Sequence, residues 1–228
     1  MATAAPRTLL EFGVASGGST ALLALAARPE RLVACELAAE RVGPLDRFLE
    51  RRSLDGTVTC HYGVDQGDRA AVAPLLDRGF GADPIDLVID DASHLLAETR
   101  ACFEEVFPRI RPGGVYVIED WSWQSRLQHR VARPGAAVGR DPNATAVEAA
   151  DAPGGGFAAY AAASIGKRSL AALALELTLV CACASDVVAG LVVDEHWVVV
   201  RRGPAALEPG SFVLADHSTD PGGGSGPR

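Results

Sequence analysis

The stretch Thr8–Thr20, "TLLEFGVASGGST", decides the fold. Its apolar run (Leu9, Leu10, Phe12, Val14) is broken by a single acid, Glu11, and passes through Gly13, Gly17 and Gly18 into a helix-forming segment, Ser19 to Ala27. An apolar strand, a glycine turn and a helix make a βα unit. Gly13 and Gly17 let the backbone turn tightly and approach a ligand closely. The helix start beyond them, at Ser19, offers amide donors that lack intrahelical partners. Gly13, Ala15 and Gly18 also fall at G-x-G-x-x-G spacing with alanine in the second place, so a dinucleotide site is a rival reading. A tight turn with no ligand is the bland one.

The unit recurs along the chain. "RLVACEL" (31–37) reads as a second strand and Arg41–Arg52 as a helix. "GTVTCHYG" (56–63) is a third strand, with a helix over Arg69–Arg78. "IDLVIDD" (85–91) is a fourth strand, with a helix from Leu95 to Arg109. "PGGVYVIED" (112–120) is a fifth. Such alternation predicts an α/β, Rossmann-like sandwich: a mostly parallel sheet with helices on both faces and right-handed crossovers. The rhythm breaks after Asp120. Residues 126–156 read as a mobile lid or substrate loop, and 157–179 as a helix. "VVAGLVV" and "HWVVVRR" read as a closing antiparallel hairpin. The expected layout is an N-terminal tail over 1–7, one domain over 8–203 and a flexible C-terminal tail over 204–228 that ends in "DPGGGSGPR".

Composition narrows the class. With 228 residues, 48% of them hydrophobic and 22% charged, one large folded domain is expected. A net charge of −8 argues against nucleic acid as a partner. The five cysteines include no C-x-x-C pair, so neither a disulfide framework nor a zinc knuckle is indicated; Cys35 and Cys102 read as inert core thiols. No signal peptide is recognisable, and the most apolar later segment, 169–184, contains Glu176 and is short for a bilayer. The expectation is a cytoplasmic protein that does not bind membranes, with a homodimer left open.

The polar residues at strand ends carry the chemistry. Glu11 lies inside an apolar strand, where it can hold the cationic amino group of an amino-acid-like ligand. S-adenosylmethionine has such a group and nicotinamide cofactors do not. Glu36 ends the second strand, where a ribose-binding carboxylate belongs; an ordinary helix-start acid is the alternative. Asp65 and Gln66 follow the third strand and could read an adenine edge. Asp90 and Asp91 end the fourth strand, and Glu119 and Asp120 the fifth. Four carboxylates on one sheet edge repel one another unless a cation sits among them. Oxygen donors without cysteine suit Mg²⁺ or Mn²⁺; solvent-exposed strand-end acids are the other reading. His94, three residues past Asp91 at the expected helix start, suits a general base for a hydroxyl, a metal ligand or a structural role, with Ser93 as a helix cap. Trp121 and Trp123 wall a pocket or belong to the core. His61 reads as a strand residue and His196 as structural, both peripheral to the chemistry, whereas His129, in the region leading to the lid, could reach the site without being a candidate catalyst.

"LEFGVASGGST", "DLVIDDASH", "FPRIRPGGVYVIEDWSW" and "VVVRRG" resemble class I S-adenosylmethionine-dependent methyltransferases, and more narrowly the macrocin and mycinamicin sugar O-methyltransferase group with its cephalosporin-hydroxylase-like relatives. The resemblance covers about Leu9 to Trp123. It implies a seven-stranded sheet with an antiparallel last strand. It implies Mg²⁺ on Asp91, Glu119 and Asp120, and His94 as catalytic base. It implies a cofactor site over Glu11, Gly13, Gly17, Glu36, Asp65 and Asp90, with Ala15, Ser19 and Gln66 in the same turns. The reaction implied is methyl transfer from S-adenosylmethionine to a hydroxyl of a sugar, glycoside or related natural product. An NAD-dependent oxidoreductase and a non-catalytic S-adenosylmethionine-binding protein are the rivals. The turn at Ala15 and Ser16 is less glycine-rich than usual, and 126–156 matches nothing in the group. The larger macrolide-sugar enzymes carry an N-terminal extension that this sequence lacks, so their particular substrates are not carried over.

Overall fold

The sheet runs in the order β3-β2-β1-β4-β5-β7-β6. In chain order its strands are β1 (Thr8–Phe12), β2 (Arg31–Glu36), β3 (Val58–Tyr62), β4 (Ile85–Asp90), β5 (Ile110–Glu119), β6 (Val188–Val193) and β7 (Trp197–Arg202). The computed structural model describes residues 5–131 and 167–218. β1 to β5 pair in parallel, and β7 runs antiparallel to β5 and β6. This is the expected α/β sandwich, including its antiparallel final strands.

Helices α1 (Gly18–Ala27), α2 (Gly43–Arg51), α3 (Arg69–Phe80), α4 (Leu96–Val106), α5 (Trp123–Val131) and α6 (Ala171–Cys183) fill the connections. Leu9, Leu32 and Ala34 pack on one side of the sheet with Leu45 and Leu49 of α2. Leu10, Phe12, Val88 and Tyr116 pack on the other with α3, α4 and α6. β1 sits in the middle, and Leu9 through Phe12 are buried on both faces, as a central parallel strand requires. Asp68 caps α3 by accepting from the amides of Ala70 and Ala71, a cap worth about 1 kcal/mol.

The structure departs from the expected boundaries in three places. The helix expected over 157–179 falls partly outside the described residues, and the described helix, α6, runs later. Its Leu173, Leu177 and Val180 are buried, and Glu176 pairs with Arg100 of α4. That pair explains the charge within so apolar a segment. Residues 126–131 belong to α5, whereas the rest of the expected lid lies outside the described residues. Residues 204–218 are not a loose tail: Phe212 and Leu214 are buried in the core, and the Leu214 amide donates to Glu104. Two large apolar side chains suffice to pin a polar segment. Residues 219–228 of the expected tail lie outside the described residues. All five cysteines are free, and burial pushes Cys35 up to about 12 and Cys102 well above the usual thiol range. No helix among the described residues is long and apolar enough to cross a membrane.

Candidate active site

The carboxyl ends of β1, β2, β3 and β4 surround a cleft of about 260 Å³. Gly13, Ala15, Glu36, Asp65 and Gln66 line it, together with Asp91. Glycine is required at position 13. Its φ is +95°, and a Cβ there would lie 2.0 Å from the Asp91 carbonyl oxygen. Gly17, at φ +84°, faces Leu45 at a similarly close 2.8 Å. The glycines thus bring the turn against the β4 end and against α2.

Glu36 organises this turn. Its Oε2 accepts from the amides of Val14 (3.0 Å) and Ala15 (2.8 Å), and its Oε1 from Ala38 (2.9 Å). A carboxylate offers about four acceptor positions, so one remains for a ribose hydroxyl. Asp65 accepts from the Gly67 amide at 2.8 Å. Gln66 is buried and donates to Ser93 (3.1 Å) and Thr99 (3.3 Å), and its Oε1 has no hydrogen-bond partner.

Glu11 lies beneath the start of α1 and is 1% exposed. Burial raises its carboxyl, and the neighbouring Ser19 and Thr20 hydroxyls oppose the rise. Among the described residues, neither carboxyl oxygen, nor the Thr20 hydroxyl, makes a geometrically sound hydrogen bond. Ser19 therefore belongs to the surroundings of Glu11 and not to the cleft lining. A buried carboxyl left unpaired is costly, and an ammonium group of a ligand is a fitting partner. Cleft, glycine turn and orphaned acid together fit S-adenosylmethionine in kind.

Asp90 and Asp91 part company, because successive strand residues point to opposite faces. Asp91 lines the cleft. Asp90, expected at the cofactor, is instead 2% exposed on the α4 side, where its Oδ2 accepts from the Tyr116 hydroxyl at 2.7 Å. Burial pushes it up to about 6, with the Tyr116 hydrogen bond working the other way.

His94 precedes α4 rather than opening it, with φ +51°. Ser93 is not the cap: the cap position is Leu95, whose amide donates to Ser93 Oγ at 3.3 Å. The imidazole Nδ1 lies 3.3 Å from the Glu119 carbonyl oxygen, and Nε2 lies 3.6 Å from Asp91 Oδ1. The Trp123 indole donates to the His94 carbonyl at 3.3 Å. Ala15 and Asp120, both at φ +46°, share this left-handed backbone. Strain of this kind gathers where surrounding contacts fix a site.

Glu119 and Asp120 end β5. Burial raises Glu119, the Trp197 indole holds it down, and the Asp120 charge raises it further. Three carboxylates suit a hard cation in kind, but among the described residues no three His, Cys, Asp or Glu side chains gather closely enough to hold one. The cation centre expected at Asp91, Glu119 and Asp120 is therefore not preassembled. His196, read as peripheral, has Nδ1 3.8 Å from Asp120 Oδ1. The sequence reading also missed Trp197, opposite Glu119 across the β5–β7 pairing; its place at the start of a strand beside a strand-end acid was the available signal. His129 is exposed on α5.

This strand order, with its antiparallel close and a glycine turn facing strand-end acids, defines a class I methyltransferase fold. Residues 10–121 match the family described as a methyltransferase domain. The chain is 48% identical over 57 residues to the 8-demethyl-8-alpha-L-rhamnosyl tetracenomycin-C 2'-O-methyltransferase of Streptomyces olivaceus, covering 25% of this chain and 14% of that protein. It is 50% identical to the mycinamicin VI 2''-O-methyltransferase of Micromonospora griseorubida over 26% of this chain and 18% of that one. Among solved structures, the MycE methyltransferase of the mycinamycin pathway, in complex with Mg and SAH, superposes with a TM-score of 0.53 at 24% identity. That match covers 86% of this chain and 45% of the MycE chain. The chain thus spans less than half the length of each of these three relatives.

Proposed function

We propose that the protein transfers a methyl group from S-adenosylmethionine to a hydroxyl of a sugar, glycoside or related small natural product. The observation that carries the proposal is the orientation of His94 beside the cleft. A carbonyl oxygen only accepts, so the bond to Glu119 assigns the proton to Nδ1 and leaves the Nε2 lone pair free to take one. Asp91, 3.6 Å from Nε2, then faces the imidazolium that forms. The Glu119 contact holds the ring and the Trp123 bond to the His94 carbonyl holds the backbone that carries it, so that the orientation is not lost between turnovers. Glu11 holds the cofactor's ammonium group, Glu36 fixes the turn and takes a ribose hydroxyl, and Asp65 and Gln66 face the base. When bound, the cofactor supplies an electrophilic methyl group on a sulfonium. Rate enhancement in such a site comes largely from orienting the hydroxyl against that methyl.

Asp91, Glu119 and Asp120 are the residues that would hold Mg²⁺. The cation would lower the pKa of an acceptor hydroxyl. The relatives' action on sugar moieties and the Mg in the MycE complex support this reading.

Calorimetric titration with S-adenosylhomocysteine and with NAD, each with Mg²⁺ and with EDTA, tests it. Binding of the adenosylhomocysteine alone is expected; binding of NAD alone would overturn the methyltransferase reading. Mn²⁺ titration followed by electron paramagnetic resonance tests the cation separately, and Asp91→Asn should abolish its binding.

A further inference from the structure

The chain contains three tryptophans, Trp121, Trp123 and Trp197. All three stand at the carboxyl edge around Glu119 and Asp120. Two of them are anchors: the Trp121 indole donates to the Asp194 carbonyl at 2.9 Å, and that of Trp123 to His94. Trp197 is different: its indole reaches the Glu119 carboxylate and its backbone is firmly held, yet the residue is 49% exposed. Asp194 Oδ1 accepts from the amides of His196 (2.8 Å) and Trp197 (2.7 Å). The Ser122 hydroxyl donates to the Glu195 carbonyl at 2.7 Å, and Arg126 pairs with Glu195 at 2.9 Å. A rigid turn therefore presents an open indole beside two carboxylates.

Its place in the sheet indicates what the ring meets. The cleft lies over β1 to β4, His94 follows β4, and β5 and then β7 come next. At about 4.8 Å per strand, Trp197 stands roughly 10 Å beyond the β4 edge, on the side away from the cleft. An acceptor with its hydroxyl at His94 Nε2 and the methyl donor in the cleft can extend over β5 toward β7. We propose that Trp197 is the platform on which a ring-shaped, polyhydroxylated acceptor lays its C–H face, with the hydroxyls of its edge turned toward the Glu119 and Asp120 end of β5. The inference rests on the methyltransferase reading and names the residue that determines acceptor class within it.

Labelling with 5-fluorotryptophan gives one ¹⁹F resonance per indole, each assigned by a single Trp→Phe substitution. Methyl α-L-rhamnopyranoside is then titrated into protein saturated with S-adenosylhomocysteine. The Trp197 resonance should move saturably. Trp197→Ala should weaken the glycoside about 3- to 10-fold, the range of a lost ring contact, while Trp197→Phe restores it and adenosylhomocysteine affinity stays unchanged. Glycoside binding seen by saturation-transfer NMR with the Trp197 signal unmoved overturns the platform alone. Absence of glycoside binding to the loaded protein overturns the sugar-acceptor assignment and the platform with it. Failure of adenosylhomocysteine itself to bind overturns the methyltransferase reading first.

Discussion

The His94 imidazole and the main-chain carbonyl of Glu119 are joined across the β4–β5 boundary at 3.3 Å, which fixes the tautomer of the ring. Asparagine reproduces the Nδ1 donor but has nothing at Nε2. His94→Asn should therefore keep its bond to Glu119, its fold and its adenosylhomocysteine affinity while turnover falls about 100-fold or more. Steady-state rates beside calorimetry separate the two effects. Unchanged turnover would remove His94 from the chemistry.

Glu36 holds two amides of the glycine turn, and glutamine replaces one of its oxygens with a donor that faces those amides. Glu36→Gln should weaken adenosylhomocysteine about 10-fold, the loss of one to two charge-assisted hydrogen bonds. Titration calorimetry reads this directly, and an unaltered Kd would show that the turn is held by other contacts.

Two glycines five residues apart in sequence around the turn make opposite predictions. Gly13→Ala drives a Cβ into the Asp91 carbonyl at a positive φ, and should cost on the order of 3 kcal/mol and lower Tm by roughly 10 °C. Gly18→Ala meets nothing within 4 Å, in the first turn of α1, and should be neutral or stabilising by up to about 1 kcal/mol. Thermal unfolding of both variants is the check.

Asp90, raised to about 6, contributes a pH dependence of known sign. Its folded form binds the proton more tightly than the unfolded chain, so its contribution to stability is complete below about pH 4 and is lost as pH rises through about 6. Asp90→Asn keeps an acceptor for Tyr116 and has no proton to lose. Relative to the wild type, the variant should gain stability between pH 4 and 7, by about 3 kcal/mol at most. Urea unfolding at a series of pH values measures the difference, and a flat difference would refute the assignment.

The alternation of apolar runs and helices made the sheet legible from the sequence, because a parallel strand buried on both faces leaves an unmistakable run such as "TLLEF". Glycine at 13 and the acids at 36 and 91 were legible for the same reason: they follow strand ends, where ligand sites of open α/β sheets lie. What was not legible depends on distant partners. That Asp90 rather than Asp91 turns inward follows from which face α4 and Tyr116 cover, and Tyr116 is 26 residues away. Trp197 becomes a site residue only through antiparallel pairing with Glu119, a contact that no local pattern encodes. The left-handed backbone of His94 likewise arises from contacts to β5 and α5, which is why a regular helix start was expected there.

The packing of Leu214 against α4 bears on synthesis at the ribosome. Residues 10–121, which carry the family match, leave the α4 face open until α6, β6, β7 and the Phe212–Leu214 segment have been made. The Glu104 side chain finds its Leu214 amide only after a further 110 residues of chain. Long-range closure of this kind slows folding and leaves apolar surface uncovered while it waits. The segment that carries the family match thus cannot complete its own core, and a truncation at residue 121 should yield an aggregating fragment rather than a smaller domain.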